Sequence, residues 1–413
     1  MKRSCILLLT VGLAQAAFAV GGGSPYSLYG IGDIWYAPGV RNAALGYTGI
    51  ALSPENSISA VSPASWARIN RTRIEAGLVY EGFTSSDASA SIRLGRVDFN
   101  GALLAIPVAT SNGIVLVAGV TPYSGTSYNI FRNSSSQEVD YTVNYVGKGG
   151  LSKAQLGLSY TPSADIALGA SFNYLSGTME QERSFFDSLG TTSIGTIREK
   201  TIARGIFGTL GLRYSGFRRI LDALDGLSLG FIVHSRASLT SEQQTTYAYQ
   251  SLDENDTSQT LHSRLAVPLA FGVGLAYQAG PQYLVTADYY AQPWSTADFY
   301  GVSPQNLRNS FRIGFGGERI PNPNTSSPWL DRLAYRLGMY YNATYYRVKG
   351  QSINEWALTG GLGIPLGGES MLNVAVEYGS RGTQESNLVK DRIFRVSASL
   401  SISELWFVRY EEE

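Results

Sequence analysis

The side chains that most often carry out chemistry in proteins are scarce in this chain of 413 residues, which has one cysteine and two histidines. His234 and His262 stand far apart and lack the short spacing, such as Glu-x-x-His, that brings two ligands to one zinc ion. Ser235 and Ser263 follow the histidines, but adjacent residues of a strand face opposite sides, so neither serine can pair with its neighbour. We therefore predict that the protein is not an enzyme and has no cofactor and no metal site.

Charge and composition narrow the class of protein. The 32 basic and 32 acidic residues balance to a net charge of zero, and no basic patch is present, so the chain has no electrostatic basis for binding nucleic acid. Its mean hydropathy of −0.04 is too polar for a bundle of transmembrane helices, and no stretch approaches the roughly 18 apolar residues that such a helix needs. The 46 glycines and 26 tyrosines instead suit many strands joined by tight turns.

The N-terminus has the pattern of an export signal. Lys2 and Arg3 precede a short apolar run, and the small residues that favour cleavage end at Ala19. We predict that residues 1–19 are a signal peptide that is removed after Ala19. Its removal would also take away Cys5, so the exported protein would contain no disulfide.

From residue 73 to residue 413 the chain alternates large apolar residues with small or polar ones, and this period of two predicts strands. Many of the alternating segments are about ten residues or longer, whereas strands of soluble proteins usually have about five or six. Aromatic residues gather near strand ends, as at Tyr289, Tyr290 and Trp294 or at Trp406 and Phe407, which suits the girdles of an outer-membrane barrel. We therefore predict a transmembrane β-barrel in the outer membrane of a Gram-negative bacterium. An exported soluble β protein is the alternative.

The alternating segments amount to about fourteen antiparallel strands. An even number places both ends of the barrel wall on one side, and we expect both termini to be periplasmic. The predicted strands are residues 73–82, 89–107, 113–131, 137–162, 166–181, 198–215, 227–245, 257–278, 283–294, 308–319, 332–349, 353–366, 371–383 and 390–408.

Residues 20–72 lack this alternation and are rich in Gly, Pro and Ser. A barrel of fourteen strands has a lumen too wide for wall side chains alone to fill, and this segment supplies material to plug it. We therefore predict an all-β fold in which residues 73–413 form the barrel and residues 20–72 form a plug, or hatch, inside its lumen. A disordered periplasmic leader is the alternative, although disordered segments rarely hold many large apolar residues. The large apolar residues of this segment include Ile31, Ile34, Trp35, Leu45, Ile50, Leu52 and Trp66.

Several short motifs occur in an order that resembles one family. Residues 46–64 end in Ser62-Pro63-Ala64, which is similar to a hatch signature that ends in Asn-Pro-Ala, with serine in place of the asparagine. Thr121-Pro122-Tyr123 follows a glycine-rich strand, and residues 268–277 continue to Asp288-Tyr289. Together these motifs resemble the FadL family of outer-membrane transporters for long-chain fatty acids and other hydrophobic compounds.

The resemblance implies a fourteen-stranded barrel with an N-terminal hatch, acting as a monomer in outer-membrane lipid. It also implies passive uptake of a hydrophobic compound, which enters an apolar pocket in the lumen and leaves sideways into the membrane after the hatch moves. Pro107 and Pro122 can kink a wall strand for such an exit, because proline removes a ladder donor. Ordinary turn residues at strand ends are the alternative interpretation of both prolines. The expected hatch and gate residues are Ile31, Ile34, Trp35, Leu45, Ile50, Leu52, Pro63 and Ala64.

Alternation also indicates which charged residues face the lumen. A charged side chain on the lipid face would cost several kcal/mol near the membrane midplane, so a position in the lumen is favoured. There the charged side chains would pair with each other or with the hatch. The residues expected in the lumen are Arg213, Asp288, Arg312, Arg336 and Glu377.

A second function is compatible with the same architecture. In this alternative the barrel is a subunit that binds or shuttles a secreted protein partner and does not transport lipid. An apolar lumen with a movable hatch would favour transport, whereas a lumen that is packed shut, with exposed apolar patches on the outer loops, would favour a protein partner. The sequence favours transport, because the predicted outer loops are mostly polar.

Overall fold

The computed structural model describes residues 20–36, 38–136, 139–187, 192–249, 257–299, 305–322, 324 and 326–404. The predicted signal peptide, which includes Cys5, and the aromatic pair Trp406 and Phe407 lie outside the described residues. No helix within the described ranges is long and apolar enough to cross a membrane.

Strands dominate the fold. Two short ones, β1 (Val20–Gly21) and β2 (Asp33–Ile34), belong to the N-terminal segment. The uninterrupted wall strands are β3 (Thr72–Ser86), β4 (Ser91–Ala109), β5 (Ile114–Ser136), β6 (Val139–Ser163), β7 (Ile166–Phe186), β8 (Ser193–Tyr214), β15 (Ser310–Arg319), β16 (Ala334–Val348), β17 (Gln351–Gly367), β18 (Ser370–Gly382) and β19 (Lys390–Glu404). Three further wall stretches are each split in two: β9 (Leu227–His234) with β10 (Ala237–Tyr249), β11 (Thr257–Val267) with β12 (Ala270–Ala279), and β13 (Tyr283–Gln292) with β14 (Asp298–Phe299).

The last wall strand pairs with the first and closes the barrel. β19 lies antiparallel to β3, from Lys390 opposite Ser86 to Glu404 opposite Thr72. The eleven uninterrupted strands and the three split stretches make fourteen antiparallel wall stretches. The predicted fourteen-stranded barrel is confirmed.

Alternation decides which face of each wall strand meets the membrane. In β7, Leu168, Phe172 and Tyr174 are exposed on the outer face, whereas Asn173 and Leu175 are fully buried on the inner face. Successive side chains of a strand point to opposite sides, so one sequence pattern supplies both an apolar outer belt and a packed interior.

The wall is much taller on one side than on the other. β5, β6, β7 and β8 contain 23, 25, 21 and 22 residues, whereas β13 and β15 contain 10 each. After Tyr174 the outer face of β7 turns polar, with Ser176, Thr178 and Glu180 in the same alternation, so the tall strands continue beyond the apolar belt. We call this projecting sheet the rim and its end of the barrel the rim end; Thr72 and Glu404 mark the opposite turn end. The rim consists of residues 122–136, 139–152, 176–186, 193–204, 240–249 and 257–264.

Residues 20–71 run through the lumen and form the plug, as the fold prediction expected. At the start of the plug, β1 pairs in parallel with β4 at Leu94–Gly95, and β2 pairs with β5 at Ser124–Gly125. A short helix, α1 (Val40–Ala44), then contacts β17 and β18, and the 3-10 helix Pro63–Arg68 contacts β6, β7 and β8 before the chain enters β3. The plug therefore passes from the rim end to the turn end.

The two ends of the described chain consequently lie at opposite ends of the barrel. Val20, the first residue after the predicted cleavage site, lies beside Leu94 near the rim end, whereas Glu404 lies opposite Thr72 at the turn end. The even number of strands does put the first and last wall strands on one side. The plug carries the described start of the chain across the lumen, and the placement of both termini on the periplasmic side stays a prediction.

Inward-facing glycines let the plug backbone touch the wall. A Cβ atom added to Gly316 of β15 would lie 2.5 Å from the carbonyl oxygen of Leu45, and one added to Gly338 of β16 would lie 2.3 Å from the nitrogen of Gly46. Real Cβ atoms essentially never come that close. Next to Gly316, a Cβ atom on Gly317 would meet its nearest neighbour only at 3.9 Å. Glycine is therefore required at positions 316 and 338 for contact with the plug.

Alanine at Gly316 should disturb the plug, whereas alanine at Gly317 should not. We expect Gly316→Ala to lower the free energy of unfolding by about 1–3 kcal/mol, because it overpacks the lumen. Gly317→Ala should change that free energy by no more than about 0.5 kcal/mol. A urea titration in detergent, read by the gel mobility difference between folded and unfolded barrels, measures both. Equal stability of the two variants would contradict a tight contact between plug and wall.

Candidate functional site

The inner faces of β3, β4, β17, β18 and β19 bring charged side chains together inside the lumen. Cross-strand register explains the grouping, because Glu81 lies opposite both Arg96 and Arg395, and Arg395 also lies opposite Glu377. In the same way Glu355 lies opposite Arg381. Together with a carboxylate from the plug they form the charge cluster: Asp33, Glu81, Arg96, Glu355, Glu377, Arg381 and Arg395.

Two arginines of the charge cluster each bridge two carboxylates. Arg395 donates from Nε to Glu81 at 2.5 Å and from Nη1 to Glu377 at 2.5 Å. Arg381 donates from Nε to Glu355 at 2.6 Å and from Nη1 to both oxygens of Asp33 at 2.8 and 2.9 Å. A buried charge that loses its partner is strongly destabilising. These contacts therefore keep the wall strands in register and fix the plug to the wall.

A second group of ion pairs surrounds Glu318 of β15. Arg336 donates from Nε to Glu318 at 2.7 Å and from Nη1 to Asn373 at 2.8 Å. Arg41 of helix α1 also pairs with Glu318. One wall carboxylate thus joins a wall arginine to the plug helix.

Arg312 of β15 lies between two aromatic rings. Its guanidinium carbon is 3.8 Å from the ring centre of Tyr340 and 4.3 Å from that of Tyr47, close enough for cation–π contacts on both sides. The Tyr47 hydroxyl donates to Glu377 at 2.7 Å. Burial raises the pKa of the Tyr47 phenol well above its ordinary value, and the Glu377 carboxylate raises that pKa further. Tyr47 therefore stays a neutral hydrogen-bond donor.

Two other wall residues bind the plug backbone. Asp288 of β13 accepts hydrogen bonds from the backbone N–H groups of Gly49 at 2.6 Å and Ile50 at 2.9 Å. Arg213 of β8 donates from Nε to the carbonyl oxygen of Ala51 at 2.9 Å. The structure thus places all five predicted polar residues in the lumen, where each contacts the plug directly or through Glu318: Arg213, Asp288, Arg312, Arg336 and Glu377.

The apolar hatch residues predicted from the sequence do not form one gate. Ile31 belongs to an apolar cluster against which Ile34 packs, Leu45 and Leu52 belong to a second cluster, and Ile50 belongs to a third. They lie along the whole plug. Their common role in the structure is to anchor the plug at separate points of the wall.

The remaining predicted hatch residues lie at two other places. Pro63 and Ala64 pack on β7, where a Cβ atom on Gly169 would be 2.2 Å from the carbonyl carbon of Pro63 and 2.4 Å from the nitrogen of Ala64. Trp35 lines two small cavities next to β2. The structure therefore does not bring these residues together with Ile31 or Leu45.

The cavities that described residues enclose in the lumen are small. One, of about 50 Å³, is lined by most of the charge cluster, and another, of about 40 Å³, is lined by polar and aromatic residues that include Lys153 and His234. Two others have about 20 Å³ each. Pockets for drug-sized ligands typically span about 300–1,000 Å³. None of these four cavities has the size of the apolar pocket that the resemblance implied.

The two prolines proposed as kink positions differ from each other. Pro107 lies at a bulge beside Ala109, where β4 ends at the turn end, which fits the interpretation as a strand-end residue. Pro122 lies at the start of the rim, just after the β4–β5 ladder stops at Val120. Only Pro122 therefore lies at a break in the wall.

Beyond Val120 the described parts of β4 and β5 no longer pair with each other, and we call this region the wall gap. β1 on β4 and β2 on β5 occupy it. Between them, the Ser27 hydroxyl donates to the carbonyl oxygen of Ser127 at 2.9 Å and accepts from its N–H at 3.0 Å. The plug thus supplies the backbone partners that the wall lacks.

Most of the charge cluster was not identified from the sequence. In their strands Glu81, Glu355, Arg381 and Arg395 all fall on the face opposite the exposed apolar residues, and this signal could have found them. Asp33 has no comparable signal, because it lies in the plug, where no alternation tells which way a side chain points.

Removal of one arginine should weaken the charge cluster. We expect Arg395→Met to lower the free energy of unfolding by about 3–5 kcal/mol, because Glu377 loses its cation and Glu81 keeps only Arg96. Arg93→Met is the matched control, because Arg93 is exposed on β4 and has no ion pair with any described residue, and it should change stability by at most about 0.5 kcal/mol. Urea titration of both variants measures the difference. A loss no larger than that of the control would contradict the role assigned to the cluster.

Proteins of known structure share this architecture. A Pseudomonas aeruginosa FadL homologue has 13% sequence identity and a TM-score of 0.60 over 89% of this chain and 98% of that chain. The Ralstonia pickettii toluene transporter TbuX has 17% identity and a TM-score of 0.58 over 88% of this chain and 98% of that chain. The P. putida toluene transporter TodX has 16% identity and a TM-score of 0.57 over 89% and 98% of the two chains. At these identities the likeness establishes the fold alone.

Sequence comparison adds the family. No curated protein matches the chain. The family BamG matches residues 1–411, which is nearly the whole length. The chain is therefore a β-barrel protein that belongs to the BamG family.

Proposed function

We propose that this protein is a sealed outer-membrane barrel that works by binding a protein partner at its rim, with the rim end facing the cell exterior. The observation that carries the proposal is the lumen filled by the charge cluster. It favours the second of the two functions that the sequence allowed, in which a secreted protein takes the place of a lipid as the bound molecule.

The sealed lumen is a poor route for a hydrophobic molecule. To pass the charge cluster, such a molecule would have to separate Arg381 from Asp33 and push aside the buried carboxylates of Glu81, Glu355 and Glu377. The cavities of about 50 Å³ or less hold a few water molecules at most. Passage would therefore require the plug to leave its ion pairs, which is costly for buried charges.

The rim offers free strand edges to a partner. β5 runs on to Ser136, but beyond Ser127 its described residues pair only with β6. Likewise, among the residues that the structure describes, 257–264 of β11 pair only with β10, and β14 contacts β11 at Leu265–Ala266. Unpaired strand edges are templates for the addition of another strand. A partner with an extended segment therefore fits the edge of the rim.

Exposed apolar side chains on the rim also favour a protein partner. Phe131 on β5, Ile194 on β8 and Leu261 on β11 are 61%, 51% and 55% exposed. They lie beyond the membrane belt, so lipid does not cover them. Exposed apolar groups outside the belt are typical of surfaces that bind proteins.

A second candidate function is uptake of a hydrophobic compound, such as a long-chain fatty acid or an aromatic hydrocarbon, by a monomer. The shared fold with toluene transporters favours it, and so does the wall gap beside Pro122, through which a compound could exit sideways if β1 and β2 moved. In this mechanism the plug must shift during each passage, whereas a partner-binding barrel can keep its plug fixed.

Locking the plug distinguishes the two functions. Ser27→Cys with Ser127→Cys should form a disulfide that ties the plug to β5, and Ser86→Cys with Ser91→Cys is a control disulfide within the wall hairpin. Cells that produce each variant are assayed for uptake of labelled oleate and toluene. We expect uptake equal to that of cells lacking the protein in every case. Uptake that depends on the protein, stops in the locked variant and returns with a reductant would support transport and overturn the proposal.

The rim itself can be tested for a partner. With a photoreactive amino acid at Phe131, we expect one protein to crosslink in native membranes, and none with the same group at the lipid-facing Leu337. Phe131→Asp should reduce co-purification of that same protein at least tenfold. Ile220→Asp, an equally exposed apolar position at the turn end, should leave it unchanged. Equal co-purification by both variants would argue against docking at the rim.

A further inference from the structure

Three exposed arginines on the outer face of the barrel have no acidic partner. Arg204 on β8, Arg236 between β9 and β10, and Arg264 on β11 are exposed, and none forms an ion pair with any residue that the structure describes. Arg204 and Arg264 both lie opposite Thr240 of β10, so their backbones are about 10 Å apart. Glu242, the next outward position on β10, lies opposite His262. The three arginines form what we call the outer cation patch.

The outer cation patch lies at the upper edge of the lipid belt. From Tyr214, where β8 ends, to Arg204 the tilted strand rises about 25 Å, which equals the height of the apolar band of such barrels. Arg236 is lower, because the neighbouring Ser235 pairs with Gly208, which is four residues nearer the turn end than Arg204. A cation at that depth on the lipid face is costly, and an anionic group beside it lowers that cost.

An apolar furrow of about 480 Å³ lies on the same outer wall but nearer the turn end, because its lining residue Leu210 is closer than Arg204 to Tyr214, where β8 ends. Ala170 of β7 lies opposite Leu158 of β6 and Leu210 of β8. Its methyl group, between these two larger side chains, forms the floor of the furrow. Phe231 and Val233 of β9 form the far side. The furrow is apolar and faces the membrane, so its natural occupant is an acyl chain.

We propose that the outer cation patch and the furrow together bind one phosphate-bearing acyl lipid of the leaflet at the rim end. Its phosphate lies among Arg204, Arg236 and Arg264, and one acyl chain lies in the furrow. Arginine presents several donors in a fork that matches phosphate oxygens. Charge complementarity selects this occupant, because a neutral lipid leaves three cations unpaired and a free phosphate leaves the furrow empty.

Native mass spectrometry of the full-length protein in mild detergent tests the site. The probes are lipid A, which is a phosphorylated acyl glycolipid, its dephosphorylated form, and inorganic phosphate. We expect retained lipid A on the unmodified protein and at least a tenfold lower bound fraction on the variant Arg204→Gln/Arg236→Gln/Arg264→Gln. Arg218→Gln, an exposed arginine at the turn end, is the matched control and should bind as the unmodified protein does.

A second variant tests the furrow with all three arginines in place. Ala170→Phe fills the floor, and we expect it to reduce lipid A retention as well. Gel mobility of the folded barrel verifies that each variant is folded. Unchanged retention by the triple variant, equal retention of the dephosphorylated lipid, or full displacement of lipid A by inorganic phosphate would each overturn the proposal.

Discussion

The pairing of buried charges is the constraint on which the rest of this structure depends. The wall turns carboxylates and guanidinium groups into a lumen from which most water is excluded, and such groups are tolerated only as close pairs. Arg381 satisfies Glu355 on the neighbouring strand and Asp33 on the plug at the same time. Strand register and plug position are therefore not independent, since both are needed to neutralise the same set of side chains.

The close approach of plug and wall follows from a second, steric requirement. Gly316 and Gly338 leave room for the plug backbone. Asp288 accepts a hydrogen bond from that backbone, and Arg213 donates one to it. Backbone contact and ion pairing together leave cavities of about 50 Å³ or less at the places where described residues enclose them in the lumen. The surfaces that remain for recognition are the projecting rim and the lipid-facing wall, and both carry features that the interior does not need.

The barrel could be predicted from the sequence because its signal is local. Alternation over ten or more residues identified all fourteen wall stretches, and it placed Arg312 and Glu377 in the lumen. The contents of the lumen could not be predicted to the same degree. Asp33 meets Arg381 across most of the chain, and no local pattern encodes such a contact. From the sequence Pro107 and Pro122 looked equivalent. The pairing of β4 with β5 shows that Pro107 lies at a strand end, whereas Pro122 lies at the break in the wall.

The two short strands at the start of the plug bear on how the molecule is assembled. β1 and β2 belong to the plug but also act as part of the wall, because they provide hydrogen-bond partners where β4 and β5 no longer pair with each other. Without the plug, the fourteen wall stretches alone would leave backbone groups of β4 and β5 at the wall gap without hydrogen-bond partners. The hydrogen bonding of the wall at this gap therefore depends on the plug, so the first described part of the chain completes a wall whose strands follow it in the sequence.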